Sequence, residues 1–469
     1  MDAPDAHTLS APGVRPPVRR TVVFATVSLA LIMMAVDSTI VATALHAIEH
    51  GLDTTINWAG WTLTAYSFGF VLMLPISGKL SEWYGRRRVF IASVVTFTLA
   101  SLCCGLADNI YVLIALRALQ AAGGAGFTPS ATGIVVDYFG DSRDRAVSLF
   151  GSIFPIGSMI GPIFGGLFVT YWSWRGVFFV NVPIGIAIVV LSRKFIPRDP
   201  PREADARPGM DAFGMGVLGL GLLAGMLAAS YLGEARVSPW SPMFLAPLAV
   251  CLVSTWSFFR HVNYASRPFI EPHLIHGAGF GAVNLFNAVY GGITSGVIAL
   301  VPLYATERYG IGALASGTLL IAQGAAAIIL TLTAALALRR TGHRMPLYVG
   351  MSVVIIGMLA LALHPPATMT PYAWLAAATF LIGAGRGFSN PASRNAGLQL
   401  APEHSSTLAA LRTMALQVGS IVTVSVATAV IAGAHDPGMA QAWFYVAAAL
   451  LFIVALPMIA RVPEHRGAW

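Results

Sequence analysis

Charge is what this sequence has least of. Only 10% of its 469 residues are Asp, Glu, Lys or Arg, against 56% hydrophobic, and the mean hydropathy is +0.73. So few charges could not cover so much apolar surface in water, which excludes a soluble globular chain and makes lipid the solvent for much of it. Cysteine is scarce as well. Cys103, Cys104 and Cys251 all lie in apolar stretches without Cys-x-x-Cys spacing, which excludes a disulfide framework and a thiolate metal site. Lysine is nearly absent, Lys79 and Lys194 being the two in the chain. The sequence offers no His-rich metal spacing, nucleophile elbow or phosphate loop. The protein is therefore expected not to be an enzyme and to need neither metal nor cofactor.

What the chain has in abundance is long apolar runs. They recur near 22–45, 58–77, 88–107, 110–136, 146–170, 176–194, 211–231, 242–260, 280–304, 313–337, 346–364, 372–393, 406–433 and 439–460. A helix of about 20 residues is about 30 Å long, enough to cross a bilayer, whereas barrel strands need alternating segments of about 10 residues. The expected fold is all-α: a polytopic membrane protein of fourteen spans. Residues 1–21 are polar and proline-rich, ending Arg15-Pro-Pro-Val-Arg-Arg20. They are expected to form a cytoplasmic tail and not a cleaved signal, since no small-residue cleavage site follows a short apolar core.

The net charge of +8 and pI of 9.6 are topology, not a nucleic-acid footprint. With the N-terminus inside, alternate loops carry Lys79 and Arg86–Arg88; Arg143 and Arg145; Arg193, Lys194, Arg198, Arg202 and Arg207; Arg260 and Arg267; Arg339, Arg340 and Arg344; and Arg394, with Arg461 and Arg466 in the tail. The opposite loops hold only Arg175, Arg236 and Arg308. The positive-inside rule then places both termini in the cytoplasm and the protein in the cytoplasmic (inner) membrane. A reporter fused after Arg202 is expected to read cytoplasmic and one at Glu234 external; the reverse at either site would end the fourteen-span reading.

The halves repeat. Gly126-Phe-Thr-Pro-Ser-Ala131 in the fourth span matches Gly387-Phe-Ser-Asn-Pro-Ala-Ser393 in the twelfth. Duplication of a six-helix unit with one inserted pair accounts for this. The expected divisions are a tail at 1–21, a six-helix bundle at 22–195, a linker with two inserted helices at 196–270, a second six-helix bundle at 271–462 and a tail at 463–469.

Within the spans one acid stands out. Asp37 lies in the apolar run Leu31-Ile-Met-Met-Ala-Val-Asp-Ser-Thr-Ile-Val-Ala-Thr-Ala-Leu-His46. A carboxylate at that depth costs on the order of 3 kcal/mol by insertion scales, so it is expected to be functional, with a structural hydrogen-bonded role as the plainer alternative. Arg117, several residues inside the fourth span, needs an anion, and Asp37 is its natural partner; snorkelling to the interface is the alternative. His46, near the outer end, is a candidate second titrating group or simply faces the interface.

Five stretches carry a family resemblance. Gly78-Lys-Leu-Ser-Glu-Trp-Tyr-Gly-Arg-Arg-Arg-Val-Phe90 resembles the loop signature of the major facilitator superfamily, with Glu82 in place of the usual Asp. Arg117-Ala-Leu-Gln-Ala-Ala-Gly-Gly124 and Gly157-Ser-Met-Ile-Gly-Pro-Ile-Phe-Gly-Gly166 resemble the fourth- and fifth-helix motifs of drug:proton antiporters. Trp174-Arg-Gly-Val-Phe-Phe-Val-Asn-Val-Pro-Ile-Gly185 resembles the entry to helix six in the fourteen-span branch of that family. The first helix resembles that branch too, with Ala42 for its Asn and His46 for its Pro. The resemblance implies proton-coupled export of small molecules, amphipathic or cationic, by a monomer drawing on the proton gradient. It assigns proton coupling to Asp37 and Arg117, a cytoplasmic latch to Gly78, Glu82, Gly85, Arg86 and Arg87, and a hinge to Gly157, Gly161, Pro162 and Gly165.

The substrate cavity is expected among polar and aromatic residues at depth: Trp61, Tyr66, Phe127, Phe154, Asn284, Asn287, Tyr290, Gln323 and Arg386. None is acidic, so the second half offers no rival to Asp37. The alternative functions are a carrier of one defined metabolite or lipid on the same scaffold, and a membrane sensor that transports nothing.

Overall fold

In hydrocarbon there is no water to bond a peptide group, so each apolar run must satisfy its backbone internally and coils into a helix. The structure, a computed structural model, describes residues 19–199, 211–232, 240–266, 268–432 and 434–467, and among these there is no strand. Fourteen long helices alternate in direction. The first six are α1 (Arg20–Thr43), α2 (Ile56–Tyr84), α3 (Arg86–Gly105), α4 (Ile110–Gly124 continuing as Phe127–Tyr138), α5 (Arg143–Tyr171) and α6 (Asn181–Phe195). The inserted pair is α7 (Ala212–Leu232) and α8 (Pro242–Tyr264). The last six are α9 (Phe280–Phe286, a π-helical turn Asn287–Gly292, then Ile293–Tyr309), α10 (Ala313–Thr341), α11 (Arg344–Ala362), α12 (Pro371–Leu398), α13 (Ser405–Ala432) and α14 (Pro437–Ala455).

Among the described residues, thirteen helices are long and apolar enough to cross a membrane. The remaining long helix, α12, is 28 residues long but carries Arg386, Asn390, Arg394 and Asn395. It packs between α10 and α11 and turns its polar side to the interior instead of lipid. Two expected spans are less regular than the sequence implied. α4 breaks at the glycine-rich Gly123-Gly-Ala-Gly126, and α9 bulges into its π turn beside Gly291 and Gly292. Such bulges occur often at functional sites.

Two apolar cores form, one centred on α1–α6 around Phe90, Phe97, Phe127 and Phe150, the other on α9–α14 around Tyr290, Met351, Tyr445 and Phe452. Lipid tails are as apolar as leucine, so close packing and polar bonds hold these helices together. The tightest seam runs between α1 and α5. Gly157, Gly161 and Gly165 recur every fourth residue, and a Cβ on them would collide with Ala35, Thr39 and Thr43 respectively. The inserted α7 packs on α8, α2 and α13. Asp211 anchors its start, accepting hydrogen bonds from the Phe269 N–H at 3.0 Å and the Gly214 N–H at 2.8 Å beside His261. Burial alone would raise its pKa, but these donors and His261 hold it below the usual carboxylate range.

Candidate functional site

Asp37 sits on α1 about 9 Å along the helix from its end at Thr43 and about 26 Å from Arg20. Both Asp37 and Arg117 are 0% exposed. Arg117 Nη1 donates to Asp37 Oδ2 at 2.8 Å and to Gln120 Oε1 at 2.7 Å. Asp37 Oδ1 accepts from Gln120 Nε2 at 2.9 Å and from Asn181 Nδ2 at 2.8 Å. Both amides also donate to Ser101 Oγ, which donates to the Phe178 carbonyl at 2.9 Å. Four helices, α1, α3, α4 and α6, thus meet in one polar network around the carboxylate. Helical spacing puts Gln120 one turn beyond Arg117, and Asn181 opens α6 at the same depth. The guanidinium lies over the Tyr66 ring at 4.2 Å, a cation–π contact, while Arg117 Nε and Nη2 and Tyr66 Oη are buried without a hydrogen-bond partner.

The cluster is chemically poised. Its three direct donors to Asp37 are N–H groups, and Oδ2 takes only one of them. A proton arriving there would cancel the charge that holds Arg117, and an arginine buried without an anion must rearrange or find another. Asp37 itself does not reach the cavity described next, but α1 lines it through Leu31, Met34, Thr39 and Thr43.

That cavity, of about 890 Å³, lies between the two halves. One wall comes from α1, α2, α4 and α5, the other from α9, α10, α11, α12 and α13. Thr43, Gly317 and Thr318 line it toward the end nearer Asp37, and Arg394 and Arg412 line it toward the opposite, arginine-rich end. At the arginine-rich end the halves are bonded together. Arg339 grips Asp144 through Nε and Nη2, both at 2.8 Å. The Thr407 N–H donates to Glu82 Oε1 at 2.9 Å, with His404 beside Glu82 Oε2 at 3.4 Å. Asn395 Nδ2 reaches Ser148 Oγ at 2.8 Å, and Arg86 reaches the Glu403 carbonyl at 3.2 Å while pairing with Asp137 at 2.7 Å. Gly78 lies against α13, and Gly85 turns the chain with φ of +102°. Arg87 does not cross to the other half; its side chain bonds the Ser192 and Arg193 carbonyls of α6.

Several expected site residues lie elsewhere. Asn287, Tyr290, Gln323 and Arg386 line the cavity. Trp61 does not: it is 39% exposed and packs on Phe68. Tyr66 instead faces Arg117, and Phe127 is enclosed by Phe90 and Phe97. Asn284 turns away to donate to the Leu274 and Ile275 carbonyls. The side chains of Phe154 and Pro162 lie outside the described residues, as do residues 1–18 of the expected tail. His46 sits on the surface of a short helix, Leu45–Gly51, beside Glu49 at 3.2 Å. Three members of the polar cluster, Ser101, Gln120 and Asn181, were not singled out from sequence. Gln120 and Asn181 were nevertheless visible as the amides of the Arg117 and Trp174 motifs.

The sequence profile of the Major Facilitator Superfamily matches residues 27–213 and 206–424. Multidrug transporter protein MdtP of Bacillus subtilis is 30% identical over 73% of this chain and 63% of its own length. Multidrug resistance protein 3 of Bacillus subtilis is 28% identical over 77% and 69%, and a multidrug resistance protein B homolog of Mycobacterium tuberculosis is 28% identical over 84% and 73%. The chain thus spans under two thirds of the length of MdtP. Among solved structures, the human organic anion transporter MFSD10 superposes with a TM-score of 0.68 at 15% identity, covering 95% of this chain and 100% of that one. The proton:xylose symporter XylE gives 0.67 at 13%, covering 96% and 97%. At such identities the likeness is one of fold. With a family profile matched across both halves, this chain belongs to the major facilitator superfamily.

Proposed function

We propose that the protein exports amphipathic small molecules across the cytoplasmic membrane in exchange for protons, working as a monomer. The observation that carries this reading is the buried Asp37–Arg117 pair on a helix that also walls the cavity. A proton taken up by Asp37 loosens α1 from α4 and α6. The glycine seam ties α1 to α5, and α5 meets the other half at the Asp144–Arg339 pair. Protonation and cavity geometry are therefore coupled through one helix pair, without the proton and substrate sharing a site. The charge pattern supports a cytoplasmic arginine-rich end, so that the bonds of Glu82, Arg86 and Arg339 latch the outward-open state of an alternating-access cycle. The relatives' names support drugs as the substrate class.

The test is dye movement from proteoliposomes loaded with ethidium or with 8-anilinonaphthalene-1-sulfonate, with and without a pH gradient. Gradient-stimulated movement of either dye is expected. Equal rates with and without the gradient for both dyes would overturn the reading.

A further inference from the structure

The floor of the cavity holds three arginines, Arg386 and Arg394 from α12 and Arg412 from α13. Arg394 Nε donates to Asn390 Oδ1 at 3.0 Å, and Arg412 Nη2 reaches Asn390 Oδ1 and Ser393 Oγ, both at 3.2 Å. These neutral acceptors orient the guanidinium groups but leave their charge unbalanced. Arg412 shares the cavity lining with Arg394 and Arg386. Among the described residues, no carboxylate lines the cavity.

Arg117, buried among the spans of the first half, has its counter-ion in Asp37 at 2.8 Å. Three like charges gathered in a cavity with largely apolar walls raise one another's free energy, and an entering anion relieves all three at once. Guanidinium forks match the paired oxygens of a carboxylate, sulfonate or phosphate. Leu31, Met34, Phe70 and Phe150 line the cavity from the first half, and Phe286 and Ile298 from the second.

We infer that the cavity takes an amphipathic anion, its headgroup held by Arg386, Arg394 and Arg412 and its apolar body by the walls above. This rests on the cavity being the transport site, and it narrows the amphipathic or cationic class implied by the resemblance to amphipathic anions.

The test compares two probes that differ by one sulfonate, 8-anilinonaphthalene-1-sulfonate and neutral N-phenyl-1-naphthylamine, binding to the full chain in phosphatidylcholine nanodiscs. The sulfonate is expected to bind at least about ten-fold more tightly, the yield of one charge-assisted bond. Arg386→Gln and Arg412→Gln are each expected to erase that preference while keeping the neutral probe. Asn287→Asp leaves all three arginines in place. It puts a carboxylate where Asn287 Oδ1 now accepts from Ser393 Oγ at 2.7 Å, beside Arg412, and is expected to erase the preference equally. Equal binding of the two probes by the unaltered protein, or a preference that survives Asn287→Asp, would overturn the inference. Adding phosphatidylglycerol identifies the anion's source: competition points to a lipid headgroup, no competition to a free amphiphile, and either supports an anion site. Binding needs no gradient, so anion preference without gradient-driven movement fails only the export reading, and gradient-driven movement without anion preference fails only this one.

Discussion

Asp37→Asn is expected to reduce gradient-driven efflux to the rate of empty liposomes while substrate binding persists. The substitution keeps the size and most of the hydrogen bonding of the carboxylate, so Gln120, Asn181 and Ser101 can still close around it. What it removes is the exchangeable proton and the negative charge. Downhill substrate exchange at equal pH is expected to continue, because it needs alternation but no proton. The missing charge has its own cost. Arg117 is fully buried, and stripping a buried pair of one partner costs about 3–5 kcal/mol. Asp37→Asn should therefore also lower the thermal stability of the purified protein. Adding Arg117→Gln removes the stranded cation and should restore much of that stability, since the two residues act as one unit and their effects do not add. It should restore none of the coupled transport. The measurements are pH-gradient-driven efflux in proteoliposomes, substrate binding in detergent and thermal unfolding of the two variants. Uphill transport surviving in Asp37→Asn would leave the pair as scaffold only.

How much of this was legible beforehand depends on the kind of residue. A carboxylate or guanidinium in an apolar run is conspicuous because its transfer cost is large, so Asp37 and Arg117 could be paired from sequence alone. Gln120 and Asn181 were in view but carry no charge, and a helix is indifferent to them. Their convergence on Asp37 follows from the three-dimensional meeting of α4 and α6 with α1. The aromatics failed for another reason. In a soluble helix the polar face marks the outside, but here lipid and core are both apolar, and the pattern does not say which way Trp61 or Phe127 points. The same blindness hid the arginine cluster. Arg386 and Arg394 are each conspicuous in the sequence, yet with Arg412 they become one feature only when α12 and α13 lie side by side around Asn390 and Ser393.

Gly78→Val is expected to abolish transport by holding the halves apart at the arginine-rich end. A Cβ on Gly78 would lie 2.8 Å from the Ala410 Cβ, 3.1 Å from the Ser406 carbonyl oxygen and 3.2 Å from the Thr407 Cα. Two of these are backbone atoms of α13, which cannot rotate away, and valine adds two further methyls. The same seam carries the Thr407 N–H bond to Glu82 and the Ser406 bond to Ser81, so forcing it open releases those bonds too. Because the clash falls between halves, each six-helix unit should still insert and fold. Gly85→Val makes the contrast. Its φ of +102° and its contact with Asp199, which caps the Arg87 and Arg88 N–H groups at 3.0 Å each, involve no residue of the second half. It should strain the loop without prying the halves apart. The readout is Ser406→Cys, a buried position, in protein lacking Cys103, Cys104 and Cys251. An impermeant maleimide added from the arginine-rich side should leave it unlabelled in the parent and in Gly85→Val, and label it readily in Gly78→Val. A protected cysteine and normal efflux in Gly78→Val would mean that closure at this end does not need the contact between α2 and α13.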